Sequence, residues 1–126
     1  MSETVIAELR ESGLHARVRH GAGALEVLLE GSADMRAREV LSDLLTRVHA
    51  EAQSLAAPTV DVDLRGLEFM NSSCIKSFVT WLANLQDLAP EQQYKIRFVS
   101  RPELLWQRRS LHALQCFAAD LVTITS

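Results

Sequence analysis

No apolar run in this chain approaches the ~20 residues needed to span a bilayer, so membrane insertion is not expected. A basic excess is missing too: 13 Lys plus Arg stand against 16 Asp plus Glu, a formal net charge of -3. Nothing here neutralises a phosphate backbone, and nucleic acid is not an expected partner. The first residues, Met1-Ser2-Glu3-Thr4, lack a basic region followed by an apolar one, so a cytoplasmic location is expected. There are 2 cysteines, Cys74 and Cys116, far apart and in no metal-like spacing. Free thiols in a reducing compartment are the expectation. His15, His20, His49 and His112 show neither metal spacing nor a fixed acidic partner, so no metal and no cofactor are expected. Asp61 and Asp63 share one face of a strand, but no nucleophile, glycine-rich loop or second cluster accompanies them. They read as a charged edge or end of a sheet. No catalytic set can be assembled, and the chain is not expected to be an enzyme.

What is present suits one small globular domain of 126 residues, 48% of them hydrophobic. Residues 1–13 read as an N-terminal extension, with Val5, Ile6 and Leu9 forming one weak amphipathic turn. Leu14, Ala16 and Val18 alternate with His15, Arg17 and Arg19, the period of a half-buried strand. Gly21-Ala22-Gly23 signals a turn, and Ala24 to Glu30 completes a hairpin. From Asp34 the period lengthens: Val40, Leu41, Leu44, Leu45 and Val48 predict a helix to about Ala52. Val60, Val62 and Leu64 alternate with Thr59, Asp61 and Asp63 as a central strand that stays apolar to Met70. Ile75, Phe78, Val79, Leu82 and Leu85 predict a second helix, and Tyr94 to Val99 another strand. Pro102 opens a third helix with a stripe of Leu104, Leu105, Leu111, Leu114 and Phe117. Leu121 to Ile124 is a last strand. The order β-β-α-β-α-β-α-β predicts an α/β sheet of about five strands, with parallel neighbours and helices packed on it.

The informative junction is Asn71-Ser72-Ser73, between the central strand and the second helix. Asn71 and Ser72 are both strong N-cap residues. The junction also lies past the carboxyl end of a parallel strand, where open α/β sheets place their sites. Two readings compete for the serines. One is capping alone. The other is phosphorylation, where the helix dipole favours the phosphate and about two negative charges arrive on a surface a partner covers.

The stretch Asp63-Leu64-Arg65-Gly66-Leu67-Glu68-Phe69-Met70-Asn71-Ser72-Ser73-Cys74 resembles the signature of STAS-domain anti-sigma-factor antagonists. There a strand ending Phe-Met meets Asp-Ser-Ser/Thr-Gly-Leu. SiaC-type regulators, which act on a diguanylate cyclase, are similar and carry Asn-Thr-Ser-Ser-Ile-Lys. Asn71-Ser72-Ser73-Cys74-Ile75-Lys76 is nearer that second pattern. The resemblance implies a STAS-like domain over residues 14–126. It also implies a non-enzymatic, protein-binding partner switch, phosphorylated at Ser72, with Ser73 as second choice. The implied partners are a GHKL-type serine kinase or anti-sigma-like protein, a PPM-type phosphatase and, from the SiaC pattern, a diguanylate cyclase. The alternative is a scaffold subunit that uses the same surface without a switch. Two residues depart from the antagonist pattern. Asn71 removes an acidic charge beside the hydroxyl. Cys74 puts a side chain where those proteins keep glycine, and is expected to narrow a kinase's access.

The partner-binding residues expected are Asn71, Ser72, Ser73, Cys74, Lys76 and Trp81. Trp81 and Trp106 fall off the main stripes of their helices, where a tryptophan usually forms part of the packing edge and, when exposed, serves as an interface anchor. Arg108-Arg109 is too short a basic run to mean more than a solvated face. Oligomeric state stays open, because the outer strand of the hairpin is free to pair with another chain.

Overall fold

The computed structural model describes residues 4–11, 13–21 and 23–126. Its strands are β1 (Thr4–Glu11), β2 (Leu14–Gly21), β3 (Ala24–Ala33), β4 (Thr59–Met70), β5 (Lys95–Val99) and β6 (Val122–Thr125). Its helices are α1 (Arg38–Ser54), α2 (Ser72–Gln86) and α3 (Leu105–Phe117), with 3-10 turns at Met35–Ala37 and Pro90–Gln92. The strands form one sheet in chain order, β1 to β6. β1, β2 and β3 pair antiparallel, while β3, β4, β5 and β6 run parallel. Each parallel step is made through one helix, as parallel strands require.

The sheet has six strands rather than about five, and residues 4–11 are its first strand, not an extension ahead of it. The register of β1 on β2 shifts between Val5 and Ala7. That bulge breaks the two-residue period, so Ile6, Ala7 and Leu9 all pack against the core while no alternation is legible. The loop residue Ala22 lies outside the described residues.

Elsewhere the alternation predicts the layers correctly. Leu14, Ala16 and Val18 of β2, Leu25, Val27 and Leu29 of β3, and Val60, Val62 and Leu64 of β4 are buried. They meet Leu41, Leu44, Leu45 and Val48 of α1 and Phe78, Leu82 and Leu85 of α2 in a single core cluster. Phe78 and Phe98 meet edge to face at its centre, ring centroids 5.9 Å apart. The intervening strand residues form a polar face that carries no helix. On it, residues directly opposite one another across neighbouring strands form ion pairs: Glu8 with Arg17 at 3.4 Å, Arg19 with Glu26 at 2.7 Å, and Asp61 with Arg97 at 2.8 Å.

The third helix differs from its expected stripe. Leu105 and Phe117 are exposed, at 49% and 45%, and Gln107 is buried with Leu111 and Leu114. At the far end of the sheet from the α2 start, Trp81 Nε1 donates to Tyr94 Oη at 2.7 Å, and His49 Nδ1 lies 2.7 Å from that oxygen. The Tyr94 hydroxyl oxygen thus accepts from the Trp81 indole and shares a second hydrogen bond with the His49 ring. Burial lowers the His49 pKa and pushes that of Tyr94 up to about 12, against the pull of the Trp81 hydrogen bond.

Candidate functional site

The end of β4 is clamped before α2 begins. Asn71 N donates to the Ala33 carbonyl at the end of β3, 2.7 Å away. Asn71 is extended (φ -67°, ψ 149°), and its Oδ1 accepts from Ser73 N at 2.8 Å. Its carbonyl accepts from Cys74 N and Ile75 N at 2.9 and 3.1 Å. Asn71 is therefore the N-cap, in side chain and backbone. Ser72, the first helical residue, is exposed, and Ser73 after it is half-buried. The hydroxyl of Ser72 is not what starts the helix, so capping no longer accounts for a serine there.

Cys74 does not stand on the surface, and the expectations that it contacts a partner and narrows kinase access are corrected. It is 0% exposed, and its Sγ donates to the Asp34 carbonyl at 3.4 Å. Burial raises its thiol pKa, with nearby Asp34 adding and Arg38 subtracting. It is a core residue without nucleophilic character. Trp81 is corrected in the same way: at 3% exposed and bonded to Tyr94, it cannot anchor an interface. The buried stripe of α2 is Cys74, Phe78, Trp81, Leu82 and Leu85, rotated from the stripe drawn through Ile75 and Val79, which are half-buried.

Lys76 is exposed one turn after Ser72. It lines an open, polar groove of about 400 Å³ between α1 and α2 with Arg38, Glu39, Ser42, Ser73, Ser77 and Thr80. Ser73 thus faces this groove, whereas Ser72 is not among its lining residues. Three large apolar side chains in segments at or after the carboxyl ends of β3, β4 and β5 face solvent: Met35 at 62%, Phe69 at 47% and Leu105 at 49% exposure. Met35 follows β3, Phe69 is the penultimate residue of β4 and Leu105 begins the helix after β5. They belong to the carboxyl ends of three adjacent parallel strands.

The approach to the site is braced from α3. Gln107, 0% exposed, donates from Nε2 to the carbonyls of Leu64 and Leu67 at 2.7 and 3.1 Å. Its Oε1 accepts from Arg101 N at 2.7 Å. Trp106, half-buried, donates from Nε1 to the Glu68 carbonyl at 2.8 Å. Arg101 donates to the Arg65 carbonyl at 3.0 Å. These bonds occupy carbonyls where β4 leaves regular register with β3. The sequence did not single out Gln107 or Met35, and its third-helix stripe placed Leu105 inward.

Asp61 and Asp63 do not form a shared acid–base pair. They lie on the bare face of the central strand β4, not at a sheet edge, and each holds its own arginine: Arg97 on Asp61 and Arg65 on Asp63, both at 2.8 Å. The Arg65 hydrogen bond keeps the Asp63 carboxyl below its usual range. No helix among the described residues is long and apolar enough to cross a membrane.

No protein-family model matches this chain, and no curated protein matches its sequence. Solved structures do match in fold. One is an anti-sigma factor antagonist from Mycobacterium paratuberculosis, with a TM-score of 0.61 at 20% identity over 97% of this chain and 86% of that one. Another is apo-SiaC from Pseudomonas aeruginosa, with a TM-score of 0.61 at 16% identity over 100% of both chains. The fold is STAS-like, mixed α/β with helices on one side of the sheet.

Proposed function

We propose that this chain is a non-enzymatic, protein-binding regulator of the partner-switching kind, and that phosphorylation of Ser72 controls it. The observation that carries the reading is the placing of Ser72. It is exposed at the first turn of α2, relieved of capping by Asn71, with the exposed Phe69 just before the junction and Met35 after the neighbouring strand. The apolar side chains supply contact area that a protein partner would cover.

A phosphate on Ser72 would gain from the α2 dipole and leave the fold unchanged. It would also carry about two negative charges into the contact, where desolvating them opposes binding. The expected partners are a GHKL-type serine kinase or anti-sigma-like protein, with a PPM-type phosphatase reversing the mark. The likeness of residues 71–76 to the SiaC pattern adds a diguanylate cyclase as a downstream partner. A cytoplasmic setting goes with this reading. Ser73 is the second choice for the mark, because it is half-buried and its backbone N–H is held by the cap.

Incubation with the cognate kinase and ATP, followed by mass spectrometry, tests the residue. A mark elsewhere, with none on Ser72, defeats the assignment. Ser72→Asp should weaken partner binding while Ser72→Ala should not. Equal affinities would instead favour constitutive use of the same surface as a scaffold.

A further inference from the structure

We propose that His112 and Cys116 form a binding site for a borderline divalent cation, zinc in the first place, on the outer face of α3. The two residues are four apart on one helix, so they share a face one turn from each other. Both side chains are exposed. Cys116 Sγ lies 3.6 Å from His112 Nε2. Zinc holds thiolate sulfur at ~2.3 Å and imidazole nitrogen at ~2.0–2.1 Å in tetrahedral geometry, which sets two such donors about 3.6 Å apart. The pair therefore already has the bite of the ion.

In the metal-free protein the same distance suits a weak S–H···N contact. Loading the site exchanges one proton for the cation: the Cys116 S–H bond breaks, an S–Zn bond forms, and the proton leaves to solvent. The neutral imidazole supplies the second bond from its Nε2 lone pair. Among the described residues no cluster of three or more His, Cys, Asp or Glu side chains is placed to hold a metal. Two tetrahedral positions are thus left to water. Arg108, one turn before His112, lines the same surface groove, and its charge opposes the cation. Affinity is accordingly expected below that of closed four-ligand sites. The site is independent of the Ser72 reading, because these residues lie in the second half of α3 and Trp106, which bonds to Glu68, lies in its first turn.

Cobalt(II) reports on such a site directly. The full chain, reduced and metal-free, is titrated with cobalt(II) in an ultraviolet–visible spectrometer. The expected result is a saturable thiolate-to-cobalt charge-transfer band with visible tetrahedral bands, at no more than one ion per chain, abolished by added zinc. Both Cys116→Ser and His112→Ala should lose the tetrahedral spectrum while keeping the wild-type circular dichroism. No charge-transfer band in the wild type overturns the proposal. So does a band that survives in Cys116→Ser, or a tetrahedral spectrum unchanged in His112→Ala.

Discussion

Gln107 Nε2 donates to the Leu64 carbonyl at 2.7 Å, tying a fully buried amide of α3 to the central strand. The same amide group serves the Leu67 carbonyl and the Arg101 N–H. Gln107→Leu keeps most of the volume and removes all three bonds. Buried polar groups left without partners cost ~1–3 kcal/mol each, with relaxation recovering part, so a loss of about 3 kcal/mol is expected. Urea unfolding should show a lower midpoint at unchanged slope. A loss under about 1 kcal/mol would mean the amide is not the brace described.

The cap at the head of α2 separates two neighbouring residues that chemistry alone makes equivalent. Asn71 holds Ser73 N, and Ser72 points to solvent. Asn71→Ala should cost about 1 kcal/mol. Ser72→Ala should stay within ~0.5 kcal/mol of wild type. Thermal or urea unfolding of the two variants decides it, and a reversed ranking would return the capping role to Ser72.

Acid should weaken the contact of α1 with Tyr94. The His49 ring hydrogen-bonds the Tyr94 hydroxyl, and its pKa is lowered in the folded state by burial. Below the unfolded value of about 6.5, unfolded chains take up a proton that folded chains refuse. Stability from this group is thus full above about pH 6.5 and falls as pH drops through the lowered folded value. Compared with His49→Gln, the wild type should lose relative stability on acidification and hold a constant difference above pH 7. A difference that stays flat across the whole range would refute the assignment.

The two thiols should react at very different rates. Cys74 is buried with a raised pKa, while Cys116 is exposed. A disulfide reagent such as DTNB should titrate one thiol quickly in the native protein and the second only on denaturation. Cys116→Ser should abolish the fast phase. Two fast thiols in the native wild type would contradict the placing of Cys74.

Most of the layer architecture was legible in the sequence, because one face of the sheet is bare. Half-exposed His15, Arg17, Asp61 and Asp63 punctuate the buried Ala16, Val18, Val62 and Leu64, and that alternation is visible in residue types alone. β1 was not legible, since its bulge breaks the period. The head of α2 was located correctly, but its facing was not. Ile75 and Val79 widen the apolar stripe and hide its rotation toward Cys74 and Trp81. Gln107 could not be found, because a glutamine within a helix reads as solvent-facing unless the carbonyls it serves are known. Leu105 was misplaced for the opposite reason: a large apolar residue in a helical stripe is assigned inward, and this one faces outward.

The bare face has a consequence for how the chain avoids misfolding. Its ion pairs are half-exposed, and each is worth little to stability, ~0–1 kcal/mol. Yet Glu8–Arg17, Arg19–Glu26 and Asp61–Arg97 each join residues directly opposite across adjacent strands. A slip of one position would turn every one of these charges into the core and every valine out to water. The face therefore works as a proofreading code: it adds little to the correct sheet and penalises each wrong alignment heavily.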